Sequence, residues 1–188
     1  MKLKVVFLAF LFFPAALHAQ PEETRTLELD GGGRVAYTVR THPADAHTVR
    51  PTGELAPTSA LDAAKLLNLH LSSGDIEEAA LLSNSPRRRF EVLRDYRESV
   101  GEEEFKRVFA QYFYPENRLL AEIAIDRHRL LIWKLKAGSA QISPQYSHLA
   151  GQYFVEVEGR YFIDDVPSDM RTRLRWVLEA YRAGKAAP

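Results

Sequence analysis

His70 is the residue of this chain best placed for acid–base chemistry. It falls on a predicted helix in which Asp62, Lys65 and Ser72 mark the polar face, and it shares the opposite face with apolar residues. A histidine in apolar surroundings can act as a general base. The alternative is a core histidine satisfied by one hydrogen bond, which we favour because buried polar groups are normally paired. His70 is therefore kept as a candidate, and no catalytic residue is assigned.

The carboxylates and nucleophiles of the chain do not indicate catalysis. Asp126 lies in a predicted hairpin turn, and Asp164 and Asp165 end a predicted strand, where turn chemistry alone accounts for aspartate. The chain has no cysteine. It also lacks a Gly-x-Ser-x-Gly motif, the sharp turn that presents a serine nucleophile. Nucleophilic catalysis is therefore not expected.

Motifs for metals and phosphates are also lacking in the sequence. His42 and His47 lie in a loop with no further ligand at a metal-binding spacing. The run Gly31–Gly33 favours a hairpin turn, because neither a helix nor the Lys-Ser/Thr pair of a phosphate-binding loop follows it. We expect no cofactor and no metal.

Two predicted helices carry groups of arginines. In the earlier helix, nearby acidic residues should neutralise the arginines, which favours an ordinary solvated face; the arginines are Arg87, Arg88, Arg89, Arg94 and Arg97. In the last helix, Asp169 and Glu179 alone offset four arginines, which are Arg171, Arg173, Arg175 and Arg182. If a surface of this chain binds an acidic partner, the last helix is the better candidate.

Residues 1–19 have the three parts of a secretory signal peptide. Two lysines precede the apolar run 5–13, and small residues follow it. The run is shorter than the about 20 residues that a membrane span needs. Cleavage is expected between Ala19 and Gln20, which leaves no stable membrane span. We therefore expect export from a bacterial cell, into the periplasm or the medium.

The composition of the cleaved chain limits its partners. Cleavage would remove two lysines and leave 23 basic against 25 acidic residues, a net charge of −2. Such a balance lacks the basic face typical of nucleic-acid binding, so no nucleic-acid partner is expected. Since there is no cysteine, the exported chain must be stabilised by its core without disulfides.

The elements that would position these residues divide the chain into three parts. The signal peptide, 1–19, precedes a β-hairpin within 25–40 and a proline-rich linker, which together make up 20–58. A single α+β domain is predicted for 59–184. Its N-terminal helices are expected to pack on one face of a curved antiparallel sheet of about four strands, with the hairpin before it and a C-terminal helix after it.

Periodicity and capping residues predict the individual elements of that domain. Helices are expected at 59–72, 76–82, 86–100 and 105–113, and a last one from Ser168 to Gly184. The apolar stripe of the fourth helix is interpreted as core packing. Alternating apolar residues predict strands, which lie at 119–125, 131–135, 153–157 and 161–163.

Two stretches resemble the cystatin-like cone fold shared by nuclear-transport-factor-like and polyketide-cyclase-like proteins. Ala63–Asp75 is similar to the opening helix of that superfamily, with Gly-Asp before a short second helix. Gly159–Val166 is similar to its closing strand. The third and fourth helices are longer than the family usually shows. The resemblance covers 59–166 and implies a cone-shaped cavity between the sheet and the first and third helices.

The resemblance implies ligand binding or catalysis in that cavity, which His70, Tyr112 and Trp133 would share. Members include isomerases, cyclases, dehydratases and small-ligand binders, so the fold alone does not decide the function. We expect a non-catalytic exported domain that binds a partner protein or a small apolar ligand. The alternatives are a cofactor-independent isomerase or cyclase with His70 as its base, and an envelope interaction protein that uses the C-terminal helix.

Overall fold

The computed structural model of the chain describes residues 22–43, 48–135 and 149–186. These residues form an open antiparallel sheet in which six strands are neighbours in chain order, and the predicted α+β class is confirmed. The strands are β1 (Glu22–Glu28), β2 (Arg34–Thr41), β3 (Arg118–Ile125), β4 (His128–Lys134), β5 (Leu149–Val157) and β6 (Arg160–Ile163). The helices are α1 (Ala60–Ser73), α2 (Ile76–Leu81), α3 (Pro86–Val100), α4 (Glu102–Ala110) and α5 (Asp169–Arg182), with a 3-10 turn at Gln111–Phe113.

The helices begin where the capping residues predicted. The Ser59 hydroxyl accepts a hydrogen bond from the Asp62 backbone N–H at 3.1 Å and caps α1. The Asp75 carboxylate does the same for α2, at 3.2 Å from the Glu78 backbone nitrogen. Ser168 caps α5 through the backbone N–H of its third following residue. These caps satisfy N–H groups that have no partner within the helix, so the sequence fixes each start locally.

The N-terminal hairpin is confirmed, but it belongs to the main sheet. β1 pairs with β2, and β2 pairs with β3 from Thr38↔Ala124 to Thr41↔Ala121. The prediction of about four strands is therefore wrong, since the sheet has six and strands precede the helices. The physical reason is that Val35, Tyr37 and Val39 are buried apolar residues on one face of β2, and a separate hairpin could not cover them.

Both faces of the sheet are covered by helices. The face under α1–α4 buries a set of large side chains, which includes Leu71, Phe105, Leu131, Trp133 and Phe154. The opposite face packs against α5 and buries Val39, Ile123, Leu130, Ile132, Leu174 and Val177. The prediction that the N-terminal helices pack on one face is therefore confirmed, and α5, for which no face was predicted, covers the other face. Because β4 carries apolar residues at four consecutive positions, both of its faces need cover.

Among the described residues, β6 is the only strand on the outer edge of β5, and it is too short to pair with all of it. β6 pairs only with Phe154–Val157, whereas β5 begins at Leu149, four residues before the strand predicted from Tyr153. The backbone N–H of Asp164 donates to the Tyr153 carbonyl at 2.9 Å, and the chain then turns away towards α5. A gap therefore opens beside Leu149–Tyr153, between the α1–α4 layer and α5.

Some predictions concern residues outside the described ranges. The signal peptide, its cleavage between Ala19 and Gln20, and His47 lie there, so they stay predictions. Within 22–43, 48–135 and 149–186, no helix is long and apolar enough to cross a membrane.

Candidate functional site

Two of the three predicted cavity residues are in contact. The rings of Tyr112 and Trp133 meet edge to face, with centroids 5.3 Å apart and planes at 81°. Trp133 is fully buried, and burial raises the pKa of the Tyr112 phenol to about 12. Such aromatic pairs contribute about 1 kcal/mol beyond the area they bury. They form part of the packed core between the helical layer and β4.

His70 lies at the last turn of α1, where its side chain is 25% exposed and its Nδ1 lies 3.5 Å from the Asp75 carboxylate. The interface between α1 and the sheet is filled beside it, since Leu67 and Leu71 are both buried. His70 is therefore a partly exposed residue beside a carboxylate, and its role as a base stays a prediction.

The pocket in the gap beside β5 is here named the β5-edge pocket. Its volume is about 240 Å³, and α1, α3, α4, β5, α5 and the segment after β6 all contribute to its lining. Its lining includes Arg89, Gly151, Tyr153, Asp165 and Arg171. Six separate stretches of sequence therefore meet at one place, which the order of elements along the chain does not reveal.

Both carboxylates at the end of β6 are occupied by partners from the protein. Asp164 is buried, with Oδ2 3.0 Å from Nδ1 of His128 and Oδ1 accepting from the Asn84 side-chain amide at 3.0 Å. Asp165 accepts from the Ser83 hydroxyl at 2.7 Å through Oδ2 and contacts Arg89 Nη1 at 3.4 Å through Oδ1. These aspartates, predicted as turn residues, instead tie the α2–α3 connection to the sheet.

Arg89 is a largely buried cation with unused hydrogen-bonding capacity. Its side chain is only 20% exposed, and its Nε is buried with no hydrogen-bond partner among the described residues. A guanidinium has five N–H donors, and the contact with Asp165 is long. Burial lowers the pKa of Arg89, Asp165 opposes that shift, and the positive charge of Arg171 adds to it. Arg89 therefore remains charged and underpaired beside the pocket.

Arg171 brings a second guanidinium to the same pocket. Its Cζ lies 5.5 Å from the centroid of the Tyr153 ring, a cation–π contact. No carboxylate of the described residues lies within ion-pair distance of it. Asp45 is the one acidic residue in the sequence outside the described ranges. The lining therefore holds two guanidiniums and two carboxylates, and both carboxylates already have partners within the protein.

The sequence predicted a solvated cluster of arginines on α3, and most of that cluster is such a surface. Arg87 pairs with Glu91 at 3.3 Å, and Arg94 with Asp95 at 2.7 Å. Arg89 was missed. Its position on α3 could have indicated partial burial, because Arg89 lies one helical turn before Leu93, a buried residue of the core.

The described residues hold no group of three or more His, Cys, Asp or Glu side chains arranged to bind a metal ion. Comparison with protein-family models, with curated proteins and with solved structures found no match to the chain. The function must therefore be inferred from the pocket itself.

Proposed function

We propose that this chain is an exported, non-catalytic domain that binds a small ligand through an anionic group in the β5-edge pocket. The observation that carries the proposal is the pair Arg89 and Arg171, two guanidiniums that face one pocket. Arg89 keeps a buried Nε with no partner among the described residues, and Arg171 has no carboxylate of those residues within ion-pair distance. An anion between them would relieve their mutual repulsion and use the spare N–H donors. Arginine suits this task because its planar fork matches carboxylate and phosphate oxygens.

The size of the pocket limits the ligand. Its volume is about 240 Å³. Pockets for drug-sized ligands are typically larger. The ligand class that fits is therefore a small organic acid or a phosphate-bearing fragment, not a nucleotide.

The polar groups of the pocket favour binding over catalysis. A general base needs an available carboxylate or imidazole within reach of the substrate. Both oxygens of Asp164 and of Asp165 already have partners. His70, the base of the isomerase alternative, lies beside Asp75 and is not among the lining residues of this pocket.

Anion binding can be tested on the purified chain by isothermal titration calorimetry with acetate and with inorganic phosphate, in a buffer without other oxyanions. The variant Arg171→Gln should weaken binding about tenfold or more, because a charge-assisted contact is lost. Arg173→Gln is the matched control, since Arg173 lies exposed on the same helix. The proposal fails if neither anion binds, or if Arg171→Gln binds as tightly as the control.

Export is tested separately, by N-terminal sequencing of the chain recovered from the periplasmic fraction of an expressing bacterium. The expected first residue is Gln20. A chain found only in the cytoplasm with Met1 intact contradicts export and leaves the pocket proposal unchanged.

A further inference from the structure

A second pocket adjoins the β5-edge pocket along the first turns of α5. We name it the α5 pocket; its volume is about 230 Å³, and its lining is Tyr153, Pro167, Ser168, Arg171, Thr172 and Arg175. Tyr153 and Arg171 line both pockets. The stacked Arg171–Tyr153 pair is therefore a shared wall, and one ligand can contact both sides of it.

The α5 pocket is positively charged, since Arg171 and Arg175 line it. It has no acidic residue in its lining. Arg175 is exposed, and no carboxylate of the described residues lies within ion-pair distance of it. Burial raises the pKa of the Tyr153 phenol, while the charges of Arg182, Arg171 and Arg175 oppose that shift. All three guanidiniums therefore lie close to the same ring.

Arg182 differs from the other two because the protein already uses it. Its Nε and Nη2 donate to the Leu149 carbonyl at 3.2 and 3.0 Å, and its Nη1 pairs with Glu179 at 2.8 Å. Arg171 and Arg175 have no such partners among the described residues. The two arginines available to a ligand are therefore about one helical turn apart, and their Cα atoms are separated by about 6 Å along the axis of α5.

We propose that the ligand carries two anionic groups about 6 Å apart, one held between Arg89 and Arg171 and the other at Arg175, with its body lying across Tyr153. This inference rests on the proposed function and extends it from an anion to a dianion. Carboxylate and phosphate groups share the required chemistry. The spacing selects a small extended molecule with a charge at each end.

The test compares ligands that differ by one charge. Adipate and its monomethyl ester have the same carbon chain between the two carboxyl groups, and calorimetry on the purified chain gives both affinities. Adipate should bind about fivefold more tightly, the gain typical of one exposed ion pair. Succinate, in which the carboxylates are closer together, should show a smaller gain in affinity over its own monomethyl ester.

The variant Arg175→Gln locates the second group. It should remove the advantage of adipate and leave binding of the monoester unchanged, while Arg173→Gln keeps the advantage. Tripolyphosphate forms the second arm of the experiment. If it binds more tightly than adipate and depends on Arg175 in the same way, the inference holds with phosphate as the anionic group.

The outcomes separate the two proposals. If neither adipate nor the monoester nor tripolyphosphate binds, the proposed function fails. If monoester and adipate bind equally to the unaltered chain, the function stands and the dianion is wrong. An adipate advantage that survives Arg175→Gln also overturns the assignment of the second group.

Discussion

An alanine at position 151 would place a methyl group between β5 and α5. Gly151 lies on β5 at the edge of the pocket, and a Cβ atom there would come within 2.6 Å of Leu178 Cδ2 and 2.9 Å of Leu130 Cδ1. Carbon atoms in contact are normally about 3.5–4.0 Å apart. Both leucines belong to the core beneath α5, so neither can move into solvent.

The structure gives the size of the effect. Each leucine must shift by about 1 Å or leave its preferred rotamer, and an off-rotamer side chain costs about 0.5–1.5 kcal/mol. Two such adjustments predict that Gly151→Ala lowers the free energy of unfolding by about 1–3 kcal/mol, the range found for overpacked cores.

Urea unfolding followed by circular dichroism measures this change. Gly53→Ala is the matched control, because a Cβ atom at Gly53 meets nothing within 4 Å. The control should be unchanged or slightly more stable, since alanine restricts the unfolded chain. If Gly151→Ala unfolds at the same urea concentration as the control, the close approach of α5 to β5 is refuted. Leu178→Ala removes the side chain that the new methyl group meets. In a Leu178→Ala background, Gly151→Ala should therefore lower the free energy of unfolding much less than it does in the unaltered chain.

Three further predictions concern the core and the end of β6. Phe105→Ala should cost about 3–5 kcal/mol in urea unfolding, because Phe105 is fully buried and lies 5.0 Å from the Phe109 ring. Asp164→Leu should cost about 1–3 kcal/mol, because it leaves the buried His128 without its hydrogen-bond partner. Since the pKa of Tyr112 is raised from 10.0 to about 12, the folded protein keeps a proton that the unfolded chain loses. Stability should therefore fall between about pH 10 and about pH 12, by roughly 2 kcal/mol, and less steeply in Tyr112→Phe.

Each of these predictions has its own control. Val92→Ala, at an exposed position of α3, should stay within about 0.5 kcal/mol, and an equal loss there would contradict the burial argument. Asp30→Leu, in the exposed hairpin turn, is the comparison for Asp164. Tyr114→Phe, at an exposed tyrosine, should keep the pH dependence of the unaltered chain; if Tyr112→Phe keeps it too, burial of Tyr112 is not its cause.

Local features of this fold were predictable because they depend on neighbours in sequence. The Ser59 and Asp75 caps, the Pro86 start and the N-terminal hairpin each follow from residues within one turn or one loop. The alternating pattern likewise indicated β3 and β4. Phe105 was assigned to the core from helical spacing alone, and it is fully buried.

The candidate site was not predictable in the same way. His70 was selected because an apolar helix face suggested a cavity, but helical spacing does not show that Asp75 lies 3.5 Å from its ring. Arg89 was placed with the solvated arginines because i,i+4 charges explain such clusters. Its ion pair with Asp165 and its closeness to Arg171 join it to residues far along the chain, which the sequence does not reveal.

The sequence by itself therefore determined the helices and hairpins, the capped starts of α1, α2 and α5, the absence of disulfides and the α+β class, because spacing, caps and composition act locally. It also supplied the prediction of export, from residues 1–19. The tertiary structure alone decided that the hairpin joins the sheet, that α5 covers the second face, and that β6 pairs with only the last part of β5. These outcomes depend on burying both faces of one sheet, and it is the gap left at the β5 edge that brings Arg89 and Arg171 together.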